Sequence, residues 1–161
     1  MNIFFMGTPE FAVPTLDLLN KKYNVIGVFT QPPRPSGRGM KEIKSSIQEY
    51  SEKNKLNFYT PNNLKKDETL KLLKSLNPDL IVVVAYGFLI PEVILKIPSY
   101  GCINGHASLL PKWRGAAPIQ RAIEAGDIKT GCTSMLMEKG LDTGPMICLL
   151  YTSDAADEPL S

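Results

Sequence analysis

An α/β fold on a mainly parallel, Rossmann-like sheet is what this sequence predicts, and three observations carry the prediction. Residues 80–85 form a continuous run of apolar, mostly branched residues, the mark of a strand buried on both faces. Short apolar runs alternate with segments of helical periodicity along the chain, the pattern of strands joined by helices. The first such run, residues 2–6, ends at Gly7 and passes at once into residues that open helices.

Taken in order, residues 2–6 read as a buried strand. Thr8, Pro9 and Glu10 follow as N-cap, first helical position and first-turn acid. Phe11, Val13, Leu16 and Leu19 give that helix an apolar face, and Pro14 is expected to break or kink its first turns. Residues 25–30 are a second strand. The stretch 31–39, rich in Pro, Gly and Arg, can be neither helix nor central strand and reads as a loop. Residues 45–55 and 67–76 are helices, the second with Leu70, Leu73 and Leu76 at core spacing. Residues 102–105 are a short strand, 118–125 a helix opened by proline, and 133–138 a further strand. In such folds ligands lie beyond the carboxyl ends of the strands.

The composition narrows the function classes. At 161 residues the chain is expected to be one domain, and 43% hydrophobic with 21% charged residues is ordinary for a globular protein. The longest apolar run, 80–86, is about a third of a membrane span. No signal peptide is evident at the start, so a cytoplasmic location is expected. Three cysteines without a CxxC pair, beside a single histidine, argue against a metal site or a disulfide framework. Gly7 stands alone without GxGxxG, and residues 27–31 carry no acid to meet a ribose, so a dinucleotide site is disfavoured. A Walker loop is also missing from the sequence.

The last stretch breaks the pattern. From Cys148 the sequence reads CLLYTSDAADE and then Pro159, Leu160 and Ser161, a string resembling the read-through of a transposon-type sequencing adapter. Residues 148–161 are therefore expected to be a non-native tail; the alternative is a genuine strand followed by an acidic tail. Without them the acids fall from 16 to 13 against 18 Lys and Arg, and the net charge rises from +2 to +5. That modest basic surplus suits an anionic partner.

Chemistry concentrates in a few places. On a strand over 102–105, Asn104 and His106 point to one side at its carboxyl end, an amide donor beside an imidazole. Asp142, between Gly140 and Gly144, is the third candidate, although a carboxylate there is also a common turn former. Acyl or formyl transfer to an amine needs donors at a developing oxyanion and a base for the amine proton, which Asn, His and Asp can supply together. No Ser or Cys is placed as an obvious covalent nucleophile, so direct transfer is preferred. Arg34, Arg38, Lys41 and Lys44 oppose Glu42 alone in a loop that Gly37 and Gly39 let flex; its charge would attract phosphates, although a charge run of this kind is more often a solvated surface loop. Lys112, Trp113 and Arg114 form a second basic patch, in which Trp113 suits ring stacking or core anchoring equally.

These motifs resemble the methionyl-tRNA formyltransferase family. The resemblance is carried by Met6-Gly7-Thr8-Pro9-Glu10-Phe11, the 31–39 loop, Val84-Ala85-Tyr86-Gly87, Ser108-Leu109-Leu110-Pro111, Trp113-Arg114-Gly115-Ala116-Ala117-Pro118-Ile119-Gln120 and Gly140-Leu141-Asp142-Thr143-Gly144. It runs from about residue 2 to residue 147, in family order. The Asn-x-His, Ser-Leu-Leu-Pro and Asp elements are shared more widely by folate-dependent formyltransferases. The family implies formyl transfer from 10-formyltetrahydrofolate to the amino group of methionyl initiator tRNA, with Asn104, His106 and Asp142 as the catalytic trio. Ser108, Leu109, Leu110 and Pro111 would lie along the folate, and Tyr86, Gly87 and Phe88 near its pterin. Arg34, Arg38 and Lys41 would meet the tRNA acceptor end.

Gly105 stands where the family usually has a branched apolar residue, and Pro33 where an acid is common. The resemblance further implies that residues 1–147 are the N-terminal part of a catalytic domain that continues into further α/β structure and a β-barrel tRNA-binding domain. On that expectation the 161-residue chain is a monomer, incomplete, poorly stable and inactive. The alternatives are a formyltransferase acting on a small amine, such as glycinamide ribonucleotide or an amino sugar nucleotide, and a non-catalytic folate- or nucleotide-binding module. Arg38→Ala separates the two enzymes: in a filter-binding titration it weakens tRNA binding of the first and leaves turnover of the second unchanged.

Overall fold

The computed structural model describes residues 1–36 and 41–152, and these fall into two compact units, Met1–Cys102 and a second beginning at Ile103. The first unit is built around β1 (Asn2–Gly7), whose Ile3, Phe4, Phe5 and Met6 are wholly buried. Such a strand needs a parallel neighbour on each side and cover on each face. A short 3-10 turn, Glu10–Ala12, leads into α1 (Val13–Lys22), which returns the chain to β2 (Asn24–Phe29). β2 runs parallel to β1, with Asn2 opposite Asn24 and Met6 opposite Phe29.

The helix entry differs from the sequence expectation. Thr8 caps nothing; its hydroxyl donates to the Tyr86 carbonyl at 2.8 Å. The helix begins instead at Val13, with Pro14 in its first turn, where a missing N–H leaves no helical bond unmade. Pro14 therefore starts the helix rather than breaking it.

The 31–39 segment also differs from the expected loop. β3 (Arg34–Ser36) and β4 (Lys41–Ile43) pair antiparallel, with Pro35 opposite Glu42. A two-stranded ribbon has an open edge, so proline is admitted without the loss of a ladder bond that a central strand would suffer. α2 (Ser46–Lys53) has Ser45 as its cap rather than its first residue: the Ser45 hydroxyl accepts from the Gln48 N–H at 3.0 Å and bonds the Thr30 hydroxyl at 2.6 Å. β5 (Phe58–Tyr59) adds to β2 in parallel.

α3 (Asp67–Leu76) matches its periodicity residue for residue, burying Leu73 and ending on Asn77 in the left-handed region at φ 48°. β6 (Leu80–Val84) then pairs with the free side of β1, Ile3 opposite Leu80 and Gly7 opposite Val84. The parallel order is β5-β2-β1-β6. Phe5, Ala12, Leu16, Val28, Ile47 and Val84 make the core against α1 and α2, and Phe4 meets Phe29 edge to face with ring centres 4.7 Å apart. α4 (Glu92–Leu95) is a single turn before β7 (Cys102–His106).

The second unit takes up β7 from Ile103. After α5 (Pro118–Glu124), β8 (Thr130–Leu136) runs antiparallel to β7, His106 opposite Thr133 and Ile103 opposite Leu136. β9 (Met146–Thr152) runs antiparallel to β8, Ser134 opposite Cys148. The first residues of the expected tail thus form part of a strand, and those beyond 152 lie outside the described residues. Among the described residues no helix is long and apolar enough to cross a membrane.

The Ser45 cap is a direct test of α2. Ser45→Ala removes the acceptor of the Gln48 N–H and the partner of a wholly buried Thr30, and urea denaturation should show a loss of about 1–2 kcal/mol.

Candidate active site

The site in the second unit begins with strand geometry. Side chains two apart on β7 share a face, so Asn104 and His106 lie side by side. The turn between β8 and β9 brings the third group to them. Gly144 sits flat against the Leu136 carbonyl, where a Cβ would overlap it, and the Leu136 N–H donates to Pro145 O at 2.9 Å. This pinched turn puts Asp142 in the left-handed region at φ 49°, with its carboxylate turned inward.

Asp142 Oδ1 accepts from Asn104 Nδ2 at 3.3 Å, and Oδ2 accepts from the Gly115 N–H at 2.8 Å. His106 Nδ1 lies 3.7 Å from Oδ2, beyond hydrogen-bond reach but well within electrostatic contact. The His106 and Asp142 side chains are only 7% and 11% exposed. The three residues singled out from the sequence are brought together, and Asp142 is the member that touches both others.

The other imidazole nitrogen is also engaged. His106 Nε2 is 2.9 Å from the Trp113 carbonyl oxygen. A carbonyl can only accept, so Nε2 carries the hydrogen and Nδ1 holds the lone pair of the neutral ring. Trp113 itself is half-buried at φ 57°, and its indole N–H donates to Asp127 at 2.6 Å. Lys112 Nζ reaches the same carboxylate at 2.9 Å. The indole bond first, then the lysine bond, hold the Asp127 carboxyl below its ordinary range. Trp113 is thus an anchor joined to a carboxylate.

The Ser108–Pro111 stretch turns its polar groups into itself. The Ser108 hydroxyl, wholly buried, donates to Lys112 O at 2.6 Å. Thr133 on β8, also wholly buried, donates to Ser108 O at 2.7 Å and accepts from the Leu110 N–H at 3.1 Å. Leu109 packs beside Gly131, Leu110 is buried, Pro111 is exposed, and the Leu110–Pro111 peptide is cis.

The first unit holds the remaining sequence candidates. Tyr86 is buried, and its carbonyl accepts from Thr8 and, at 3.0 Å, from Gln31 Nε2; Gln31 in turn accepts from the Arg34 guanidinium. Gly87, at φ 85°, lies against the Gln31 amide where a Cβ would collide. Phe88 packs edge to face on Tyr86 with centres 5.5 Å apart. Burial pushes the Tyr86 phenol far above its usual range, so it stays a donor, and its hydroxyl has no partner among the described residues. Lys41 lies in β4 opposite Ser36, and Arg38 lies outside the described residues.

Burial also pushes the Cys102 thiol up to about 12, which removes it as a thiolate nucleophile. Among the described residues no cluster of His, Cys, Asp or Glu could hold a metal ion. Four contributors were missed from sequence: Thr133, Asp127, the Gly115 N–H and the Trp113 carbonyl. Two are backbone groups with no residue-type signature, and Thr133 and Asp127 differ in no visible way from ordinary polar residues.

Thr133→Val keeps the shape of the side chain and leaves a buried carbonyl and a buried N–H without a partner. Thermal or urea unfolding should report a loss of about 1–3 kcal/mol, larger than an exposed Thr→Val change gives.

Comparison with known proteins identifies the family of the chain. The family model described as Formyl transferase matches residues 1–157. The methionyl-tRNA formyltransferase of Pseudomonas entomophila is 52% identical over 98% of this chain and 51% of its own length. That of Xylella fastidiosa is 53% identical over 98% of this chain and 52% of its own. The chain spans about half the length of the curated relatives it matches. A phosphoribosylglycinamide formyltransferase structure from Bacillus halodurans aligns with TM-score 0.78 at 20% identity, covering 99% of this chain and 83% of that one. A formyltetrahydrofolate deformylase structure from Pseudomonas syringae aligns with TM-score 0.73 at 20% identity over 98% of this chain and 53% of that one. At those identities the structures share the fold, and with the family match over nearly the whole length the chain belongs to the formyl transferase family.

Proposed function

We propose that this chain carries the catalytic chemistry of formyl transfer from 10-formyltetrahydrofolate to the amino group of methionyl initiator tRNA. The observation that carries the reading is the convergence of Asn104, His106 and Asp142 on one face of β7. The names of relatives at about half identity support the choice of amine.

The donor set fits a formyl carbonyl. Asn104 commits one amide hydrogen to Asp142 and keeps the second for a developing oxyanion. Among the described residues His106 Nδ1 makes no hydrogen bond, so that nitrogen accepts the proton the amine loses. Asp142, nearly buried beside Nδ1, stabilises the resulting imidazolium through its negative charge. When bound, 10-formyltetrahydrofolate supplies the electrophilic formyl carbon and, after transfer, an amine nitrogen that takes up one proton. Ser108, Leu109, Leu110 and Pro111 would hold it, with Tyr86, Gly87 and Phe88 at the pterin. No metal enters this scheme.

Arg34, Arg38 and Lys41 would bind the tRNA phosphates, and the protein would act as a cytoplasmic monomer. We further infer that residues 1–147 are the N-terminal part of a catalytic domain followed by a tRNA-binding domain, and that residues 148–161 are foreign to it. A sequencing read of the genomic locus across codons 147 and 148 tests this.

The activity is tested on residues 1–147 joined to the remaining half of the Pseudomonas entomophila relative. Asn104→Ala should lower kcat for methionyl-tRNA formylation roughly 100- to 1,000-fold, and His106→Ala roughly 100- to 10,000-fold, while folate binding by fluorescence titration persists. Full turnover in both variants, or formylation of glycinamide ribonucleotide in place of methionyl-tRNA, would overturn the reading.

A further inference from the structure

We propose that Asp127 is a positioning residue for His106: by fixing the Trp113 indole it aims the Trp113 carbonyl at Nε2 and thereby selects the Nε2–H tautomer. The inference rests on the reading of His106 as the proton acceptor, and it concerns a carboxylate outside the trio.

The chain of contacts is short and each link is directional. Asp127 is itself held, its backbone N–H donating to Ala122 O at 3.0 Å at the end of α5 and its carboxylate taking Lys112 Nζ at 2.9 Å. From that fixed point it accepts the Trp113 indole N–H at 2.6 Å. Trp113 sits at φ 57°, a conformation that bulky side chains avoid unless their surroundings impose it. Its main chain is tethered two residues on by the Gly115 N–H to Asp142, and its side chain by Asp127 alone among the hydrogen bonds described. The carbonyl so aimed meets His106 Nε2 at 2.9 Å.

The selection has a chemical consequence. Without the Trp113 carbonyl, a neutral imidazole would put its hydrogen on Nδ1, facing the Asp142 carboxylate 3.7 Å away. That tautomer has no lone pair at Nδ1 and cannot take the amine proton there. Asp127 therefore governs the fraction of the neutral ring that is competent as a base, through a residue whose backbone carbonyl meets His106.

The sequence makes the test clean, because His106 and Trp113 are the only histidine and the only tryptophan. Long-range proton–nitrogen correlation spectra of the nitrogen-15-labelled 161-residue chain, at a pH where the ring is neutral, read the tautomer without any need for turnover. The wild type should show Nε2–H. Asp127→Ala and Trp113→Phe should each shift the ring toward Nδ1–H, and Asp127→Asn, whose amide oxygen still accepts the indole hydrogen, should restore the wild-type pattern. Asp127→Ala should also move the Trp113 emission maximum, and Asp127→Asn should not. An unaltered Nε2–H tautomer in folded Asp127→Ala and Trp113→Phe overturns the proposal. So does failure of both to fold while Asp127→Asn folds, which would make the contact one of stability only. A tautomer shift together with full formyl transfer by His106→Ala overturns the catalytic reading of His106 and leaves its placement by Asp127 standing.

Discussion

A nearly buried carboxylate is the constraint on which the second unit is arranged. Asp142 is 11% exposed, and an ionised group so placed is costly unless its oxygens are matched. Its partners come from two stretches of chain, Asn104 and His106 from β7 and the Gly115 N–H from the connection to α5, while Asp142 itself lies in the turn after β8. Removing the carboxylate would therefore unpin two loops and a strand end together. The same contacts that stabilise the charge hold the amide and the imidazole side by side, so local stability and catalytic geometry share one origin.

Around that centre, backbone groups do as much as side chains. Thr133 uses both faculties of a hydroxyl, donating to Ser108 O and accepting from the Leu110 N–H, to fix a loop that has no regular structure of its own. Trp113 and Asp142 both occupy the left-handed region, at φ 57° and 49°, and both carry contacts to His106. Unfavourable backbone conformations gathered at a site are held there by the contacts around them. In the first unit the load falls on apolar burial: β1 is covered on both faces, and the loops at its end are joined through Thr8, Gln31 and the Tyr86 carbonyl.

Much of the fold was legible because long elements announce their period. α3 follows from three leucines at helical spacing and β6 from an unbroken apolar run, whereas the structure makes Ser45 the cap of α2 rather than its first residue and ends that helix at Lys53. Two-residue β5 and single-turn α4 were illegible because neither is long enough to show a period. Thr8 misled because local pattern cannot reveal that its hydroxyl is claimed by a carbonyl 78 residues away. The antiparallel β8 and β9 pairings depend on a turn set by Gly144 against Leu136 O, a contact with no local signature. The trio was legible by residue type, and Asn104 with His106 by strand alternation. That Asp142 would meet them came only with the resemblance, since an Asp among glycines is equally a turn residue.

β9 bears on how the molecule behaves in company. It ends the β7-β8-β9 order, so one of its sides has no strand beside it among the described residues. Met146, Ile147, Cys148 and Leu150 are exposed along it, and none of its seven residues is charged. The strand itself carries none of the lysines and prolines with which proteins discourage unwanted pairing, although its ladder to β8 shifts register between Ser134 and Met135. Among the described residues, the open side of β9 is thus the place where a further strand, from this chain or from a second molecule, would most readily pair.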